Sequence, residues 1–184
     1  MATKAKQRLI ASAIELMRRN GAAGTGLNEL IEHSGTARRS IYNNFPGGKD
    51  ELLATATAAS GRFIADAIPP DKSPHEAIRS FVALWREMLT GSNFEAGCPV
   101  AAGALAGPAA PSARDVAGEV LDGWRIKLGE LLERAGISDG QAESLATMII
   151  AAIEGAAIFA VSTRSLKPFD DVEPLLLELL DARI

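Results

Sequence analysis

Cysteine and histidine are scarce in this 184-residue chain, which holds one cysteine, Cys98, and two histidines, His33 and His75. A lone cysteine cannot form an intrachain disulfide, and this usage fits the reducing cytosol. One cysteine and two histidines are also too few for a metal cluster of cysteine and histidine ligands. We therefore expect a cytoplasmic protein without a metal site or another cofactor.

Long uninterrupted apolar segments are also missing. The most apolar stretch, residues 146–161, is short for a membrane span and contains Glu154 and Gly155. The N-terminal segment has an apolar middle, but Glu15 and the pair Arg18–Arg19 interrupt it, which argues against a signal peptide. We expect no membrane partner and interpret residues 146–161 as a buried helix of a soluble protein.

The chain lacks the period-two alternation of apolar and polar residues that indicates β-strands. Apolar residues recur instead at helical spacing, and Gly, Pro and Asn separate the segments. This pattern predicts an all-α fold, with an irregular connection and one short helix over residues 91–111. The other predicted helices cover residues 4–19 (with Thr3 as the cap), 27–34, 37–44, 49–68, 74–89, 112–135, 139–164 and 171–182.

Charge is distributed unevenly along the chain. Residues 1–50 contain eight basic and four acidic side chains, a net charge of +4, although the whole chain carries −4. Such asymmetry predicts a head that binds a polyanion, followed by an acidic body. We expect a DNA-binding domain over residues 1–48 and a larger domain over residues 49–184.

Two short predicted helices flank Gly35 and form a helix-turn-helix candidate. The second lies within TARRSIYNNF at residues 36–45, and its arginine, asparagine and hydroxyl side chains can reach base edges and phosphates in a major groove. Ile41 and Phe45 are predicted to face inward. By pattern alone, a solvated polar face on two ordinary short helices stays an alternative.

Residues 8–52 resemble the N-terminal domain of TetR-type transcription repressors. The most specific part is a tyrosine–x–x–phenylalanine pattern with a lysine and a leucine after the turn: Tyr42, Phe45, Lys49 and Leu52. The FPGGKDEL version of that turn, with one extra residue, is similar to the LmrA/YxaF-like branch of the family. So are GCPV at residues 97–100 and RSLKPFDD at residues 164–171.

The resemblance implies an N-terminal three-helix DNA-binding bundle and a larger helical domain for ligand binding and dimerisation. It implies that Tyr42 and Lys49 contact phosphates, since Lys49 would lie at the start of the fourth helix, where the helix dipole also favours an anion. Two arginines, a serine and an asparagine would lie nearest the bases: Arg38, Arg39, Ser40 and Asn43. The full expected DNA-binding set is Thr36, Arg38, Arg39, Ser40, Tyr42, Asn43, Asn44 and Lys49.

Two positions depart from the family pattern. Members often carry a small residue where this chain has Arg39, so Arg39 is a candidate for an additional base or phosphate contact. They often carry a capping residue or a proline where this chain has Ala37, and a lost cap costs about 1 kcal/mol unless Thr36 substitutes. We therefore do not expect the operator sequence to match that of relatives.

The last two long helices are apolar on more than one face, which predicts burial on all sides. A second copy of the chain would cover them in a four-helix dimer interface, as the resemblance implies, and two-fold dimers are the commonest oligomers. An ordinary core helix is the alternative. The residues expected at the interface are Ile149, Ile153, Ala157, Leu176 and Leu180.

Large apolar side chains and the glycine-rich segment 91–111 predict loosely filled space in the second domain. Space lined by aromatic side chains with few polar groups suits a small, largely apolar ligand, and the resemblance implies one. Glu154 would be either an exposed or interface residue or a polar anchor in this pocket. The expected pocket residues are Phe63, Phe81, Trp85, Met88, Phe94, Cys98, Trp124 and Phe159.

Cys98 allows an alternative function. It precedes a predicted helix, and a thiolate at a helix N-terminus can be activated, so a thiol- or electrophile-sensing regulator is possible; a small buried residue is the other interpretation. A helical enzyme would need a base beside Cys98 or a serine, and neither histidine lies in a catalytic motif. The sequence thus predicts a non-enzymatic regulator: a homodimeric repressor that binds a palindromic operator and is released by an effector.

Overall fold

The computed structural model describes residues 4–184, so the predicted cap Thr3 lies outside the described residues. Within this range the chain forms α-helices and one short 3-10 helix, Gly107–Ala109, and no β-strand. The predicted all-α fold is confirmed. The helices are α1 (Lys4–Gly24), α2 (Leu27–Ser34), α3 (Arg38–Asn44), α4 (Gly48–Ala65), α5 (Pro74–Gly91), α6 (Pro99–Ala104), α7 (Pro111–Arg134), α8 (Asp139–Thr163) and α9 (Lys167–Asp181).

The chain folds into two compact units. Unit 1 contains the described residues as far as Arg62 together with Cys98–Val120, and unit 2 contains Phe63–Gly97 and Leu121–Ile184. Two of the three boundaries between these units fall inside α4 and inside α7, and the third lies between Gly97 and Cys98, just before α6. This structural division differs from the expected boundary after residue 48, and the functional division into residues 1–48 and 49–184 stays a prediction.

Glycines shape the first two helices. α1 extends past its predicted end, but Gly21 has φ 71° and ψ 164°, outside the helical region, so the helix kinks there before its last turn to Gly24. Gly35 closes α2 with φ 59°, the left-handed conformation that glycine adopts most readily. This residue allows the chain to reverse between the two helices of the helix-turn-helix.

The core of unit 1 joins the first four helices to the distant segment 98–120. Leu30 on α2, Ile41 on α3 and Phe45 directly after α3 are fully buried. The same core includes three alanines from the segment after α6: Ala106, Ala110 and Ala113. Part of the segment predicted as an irregular connection is thus core of unit 1.

Two glycines allow α4 to approach α6 and α7 closely. A Cβ atom at Gly103 would lie 2.8 Å from Thr57 Oγ1, and a Cβ atom at Gly61 would lie 2.4 Å from Val120 Cγ1. Both distances are shorter than non-bonded atoms tolerate, so these contacts depend on the absence of a side chain. The small residues of α6 therefore reflect close packing in unit 1.

Unit 2 is built on α5, α8 and α9, with part of α7. Phe81 and Trp85 lie one turn apart on the buried face of α5. The Phe81 ring packs edge-on against Trp124, with ring centroids 5.8 Å apart. Arg86 Nη2 lies 2.8 Å from Asp170 Oδ1, which links α5 to α9. Aromatic packing and this ion pair hold the helices of unit 2 together.

The five residues predicted for the dimer interface belong to the core of unit 2. Ile149, Ile153 and Leu180 are 0% exposed, Ala157 is 3% exposed and Leu176 is 5% exposed. Their own chain covers Ile149, Ile153 and Leu180 completely, so these three side chains leave no surface for a second copy, whereas Ala157 and Leu176 keep a small exposed surface and their place at the interface stays a prediction. Apolar periodicity marks the core face and an interface face of a helix alike, and here it selected the core face.

The apolar helix α8 is long and apolar enough to cross a membrane, and it is the only such helix in residues 4–184. Of its most apolar window, 44% is buried inside the protein. Core helices of soluble proteins satisfy the same criteria of length and composition, so the finding is weak evidence for a membrane span.

Candidate nucleic-acid interface

A buried frame fixes α3 against α2. In the turn between them, the Ser34 and Thr36 hydroxyls lie 2.8 Å apart, and the Thr36 N–H donates to the Ile31 carbonyl at 3.3 Å. Ile41 and Phe45 are fully buried beneath α3, as predicted. The remaining side chains of α3 therefore project from the outside of unit 1.

The outer face of α3 carries most of the predicted DNA-binding residues. Ser40 is half-buried, and four of the others are exposed: Arg38, Arg39, Tyr42 and Asn43. No hydrogen bond or ion pair ties Arg39 or Asn43 to the described part of the chain. A short helix with free polar donors and acceptors on its outer face is what contact with bases in the major groove requires.

Thr36 and Asn44 are less suited to contact DNA. Thr36 is only 9% exposed, and its hydroxyl faces Ser34. It does not replace the missing cap, because Ala37 is the residue before α3 and no side-chain hydrogen bond caps that helix. Asn44 Nδ2 donates to the Ser40 carbonyl of its own helix at 2.7 Å. The side chain of Thr36 is thus part of the turn, and its predicted contact with DNA stays untested.

Tyr42 and Lys49 lie at the turn before α4. Tyr42 is 50% exposed, and its Cε1 would lie 3.4 Å from a Cβ atom at Gly48. Lys49 Nζ donates to the Thr25 carbonyl at 3.0 Å, which ties the start of α4 to the turn between α1 and α2. An ammonium group has three donors, so the phosphate contact predicted for Lys49 remains compatible with this bond.

Asn28 also belongs to this surface, although it was not among the residues predicted from the sequence. Arg38 Nη2 donates to Asn28 Oδ1 at 2.6 Å, which joins the first turn of α2 to the first residue of α3. The two residues are ten positions apart on different helices, and no local spacing rule predicts such a contact. The only signal in the sequence is a polar residue at the start of α2, near the proposed DNA-binding face.

Comparison with known proteins identifies the family. Residues 9–56 match the family profile of the bacterial regulatory proteins of the tetR family. Residues 74–174 match that of the LmrA/YxaF-like transcriptional regulator C-terminal domain. An HTH-type transcriptional regulator from Mycobacterium tuberculosis is 32% identical and aligns over 97% of this chain and 95% of its own length. The chain belongs to the TetR family of transcriptional regulators.

Other TetR-family proteins align over nearly the whole chain. The regulator LmrA from Bacillus subtilis is 27% identical over 95% of this chain and 96% of its own. A crystal structure of a TetR-type regulator from Streptomyces avermitilis has 30% identity and a TM-score of 0.79, and covers 97% of both chains. The regulatory protein TetR from Rhodobacter sphaeroides has the same fold, with 21% identity, a TM-score of 0.83, and coverage of 95% of this chain and 97% of its own. The predicted family and branch are confirmed, and this TetR-family chain is a DNA-binding transcriptional regulator and not an enzyme.

The predicted ligand-pocket residues of this TetR-family regulator are divided between the two units. Cys98 belongs to unit 1, whereas the other candidates belong to unit 2. Phe63 is 59% exposed and Phe159 is 66% exposed, so neither side chain is enclosed by its own chain. The candidates that remain inside unit 2 are Phe81, Trp85 and Trp124, which are buried, and Met88 and Phe94, which are half-buried.

Cys98 acts as the cap of α6. The residue is half-buried, and its Sγ accepts a hydrogen bond from the Ala101 N–H at 3.3 Å. Arg18 lies nearby, and burial lowers the pKa of its guanidinium group. Capping explains the position of Cys98 without redox chemistry, so we do not propose thiol sensing.

Proposed function

We propose that this TetR-family regulator is a cytoplasmic repressor that binds a palindromic operator as a homodimer and is released by a small, largely apolar effector. The observation that carries the proposal is the outer face of α3. Arg39 and Asn43 are exposed there with no partner in the described part of the chain, above the buried Ile41 and Phe45. A dimer would present two such helices to two half-sites related by two-fold symmetry.

An exposed apolar face on α8 and α9 supports dimerisation. Met148 is 40% exposed, Ile158 62%, Phe159 66% and Leu175 64%. Large apolar side chains grouped on a surface often mark a protein–protein interface. We infer that these residues, and not the buried residues predicted from the sequence, form the centre of the dimer interface.

Trp85 supports an effector site in unit 2. Its Nε1 is buried and has no hydrogen-bond partner within the described residues. A buried donor without a partner costs about 1–3 kcal/mol, and an acceptor atom on a ligand would remove that cost. Phe81, one turn away, and Trp124 provide aromatic surface. We infer that the effector is apolar over most of its surface and carries at least one hydrogen-bond acceptor.

Repression would end when effector binding favours a state of the dimer that no longer matches the operator. An effector can shift this equilibrium only through a difference in its affinity for the two states, and a coupling of about 1–3 kcal/mol gives roughly a 5- to 150-fold change in DNA affinity. α4 and α7 each contribute residues to both units. We infer that these two helices transmit the change.

The first test is selection of bound sequences from a random duplex pool, followed by titration of the enriched duplex and of the protein's own upstream region. We expect an inverted repeat to be enriched, with an affinity that falls steeply between low and physiological salt because phosphate contacts release counterions. The salt slope is the slope of the logarithm of the binding constant against the logarithm of the salt concentration, and Arg39→Ala should reduce its magnitude by about 1. Enrichment of no sequence would overturn the proposal.

Arg79→Ala is the matched control for Arg39→Ala. Arg79 is exposed on α5 in unit 2, so its loss removes the same charge far along the chain from the helix-turn-helix. We expect Arg79→Ala to keep the affinity and the salt slope of the unchanged protein. Equal losses in the two variants would show that net charge, and not the face of α3, determines binding.

A second test addresses the effector. Compounds that release the enriched duplex are titrated while tryptophan fluorescence is recorded, because both tryptophans, Trp85 and Trp124, lie in unit 2. We expect effector binding to change the tryptophan emission. Trp85→Phe should weaken the affinity for the effector by roughly 5-fold, the effect of losing one hydrogen bond. A folded Trp85→Phe variant with unchanged effector affinity would contradict the role of Nε1.

A further inference from the structure

Two adjacent arginines on α3 differ in how far the protein fixes them. Arg38 Nη2 donates a 2.6 Å hydrogen bond to Asn28 Oδ1 on α2. Arg39 has no hydrogen bond or ion pair to the described part of the chain, and both arginines are exposed. The guanidinium group of Arg38 is therefore held in place by a hydrogen bond, whereas no such bond within the described residues holds that of Arg39.

The bond from Asn28 is attached to a rigid frame. Asn28 lies in the first turn of α2 and Arg38 is the first residue of α3. Leu30 and Ile41, which follow them on the same two helices, are both 0% exposed. Because the core fixes both helices, the amide of Asn28 has a defined position toward the guanidinium group, while both side chains remain accessible.

The acceptor for Arg38 is a neutral amide and not a carboxylate. An aspartate at this position would hold the guanidinium group but would oppose its positive charge, and a DNA-binding surface needs that charge. The neutral amide of Asn28 accepts one hydrogen bond and leaves the charge of Arg38 intact. The nearby carboxylate of Glu29 is directed elsewhere, since its Oε1 accepts from Asn20 Nδ2 at 2.8 Å.

We propose that Asn28 is a positioning residue that orients Arg38 for bidentate contact with a guanine, whereas Arg39 contacts the phosphate backbone. This inference rests on the proposed function of operator binding. Arginine binds the O6 and N7 atoms of guanine through a planar pair of N–H groups, so its orientation determines whether the contact forms. A side chain already held by Asn28 loses less rotational freedom on binding than a free one. A phosphate contact by Arg39 has no such requirement.

The test measures base preference, which a merely structural role of Asn28 would not change. The enriched operator is prepared with every single base-pair substitution in one half-site, and each duplex is titrated with five proteins: the unchanged chain, Asn28→Ala, Asn28→Asp, Arg38→Ala and Arg39→Ala. For the unchanged protein we expect one G·C pair whose substitution costs roughly 5- to 150-fold in affinity. In Arg38→Ala and Asn28→Ala we expect that penalty to fall below about 3-fold at the same position.

The other two variants separate orientation from charge. Asn28→Asp keeps an acceptor for Arg38 and adds a negative charge, so we expect it to preserve the base preference while lowering affinity for every duplex. Arg39→Ala should lower affinity for every duplex by a similar factor and leave the ranking of bases unchanged. Thermal unfolding of each variant checks that it folds, and since Asn28 and Arg38 are exposed we expect small shifts.

Each result has one consequence. An unchanged base preference in folded Asn28→Ala overturns the positioning role, and so does a loss at a position different from that of Arg38→Ala, because Asn28 would then contact a base itself. A uniform loss in Arg38→Ala overturns the guanine contact. No preferred sequence for the unchanged protein overturns the proposed function, whereas a clear preference that ignores Asn28 overturns this inference alone.

Discussion

At Gly61, a missing side chain sets how closely α4 and α7 pack in unit 1. A Cβ atom at this position would lie 2.4 Å from Val120 Cγ1 and 2.6 Å from its Cγ2. Gly61→Ala therefore forces either Val120 or the helices to move, and we expect the free energy of unfolding to fall by about 1–3 kcal/mol, as for other overpacked cores. Urea denaturation measures the change.

Two further variants test this explanation. Gly123 lies on α7 with no atom within 4 Å of a Cβ position, so Gly123→Ala should raise stability by up to about 1 kcal/mol through helix propensity. Adding Val120→Ala to Gly61→Ala removes the clashing methyl groups and should recover part of the loss. A single Gly61→Ala variant as stable as the unchanged protein would mean that the helices separate without cost.

Residue types were predictable from the sequence more often than residue partners. The family pattern predicted phosphate contacts for Tyr42 and Lys49, but it did not indicate that Lys49 Nζ donates a hydrogen bond to the Thr25 carbonyl, 24 residues earlier in the chain. The exposed arginines of α3 were predicted, whereas Asn28 was not. A contact between helices depends on their packing, and a single sequence carries no signal for a hydrogen bond across such a distance.

Among the helices, α7 obtains its N-terminal cap from another helix. Asp50 on α4 accepts hydrogen bonds from the Ser112 N–H at 3.2 Å and from the Ser112 hydroxyl at 2.5 Å. Asp50→Ala removes both bonds, and we expect it to lower the free energy of unfolding by about 1 kcal/mol, the usual effect of losing a cap. Ser112→Ala keeps the backbone bond and should cost less. Urea denaturation of both variants measures the difference.

Asp115→Ala is the control for this cap. Asp115 lies on the same helix, is exposed, and pairs with Arg114 at 3.0 Å on the surface. Exposed ion pairs contribute about 0–1 kcal/mol, so we expect little change. If Asp50→Ala and Asp115→Ala had equal effects, the cap across the helices would contribute nothing beyond ordinary surface charge.

Helices with a clear periodicity and end signals were predicted well. α2 begins at Leu27 and ends at Ser34, as predicted, because an apolar face and Gly35 specify it. A short helix was predicted within residues 91–111, but its bounds were not. The sequence of α6, PVAAGA, is short, and alanine and glycine give little apolar periodicity. Its position depends on close packing, with Gly103 against Thr57, which only the folded unit reveals.

For the whole molecule, the unequal charge of the two halves and the family motif predicted a DNA-binding head on a helical body. The family of the chain confirms that assignment. The extent of the compact unit around the head was not predictable, because the segment 98–120 joins it through small residues such as Ala106 and Ala113. The apolar surface of α8 was equally ambiguous, since every face of this helix is rich in apolar residues.

Dimerisation can be tested on the exposed face of α8. Phe159 is 66% exposed, so Phe159→Glu places a charge on the proposed interface without disturbing the core of unit 2. We expect the protein to change from a dimer to a monomer in sedimentation velocity at micromolar concentration, because an unpaired charge in an interface costs several kcal/mol. A monomer binds one half-site at a time, so affinity for the palindrome should fall to nearly that for a single half-site.

Ile126→Glu is the matched control, because Ile126 is 48% exposed on α7 and lies outside the proposed interface. It should remain a dimer and keep its affinity for the palindrome. A Phe159→Glu protein that remains dimeric would place the interface on another surface. A monomeric Phe159→Glu protein with undiminished affinity for the palindrome would separate dimerisation from operator binding, and repression would then not require the two-fold arrangement.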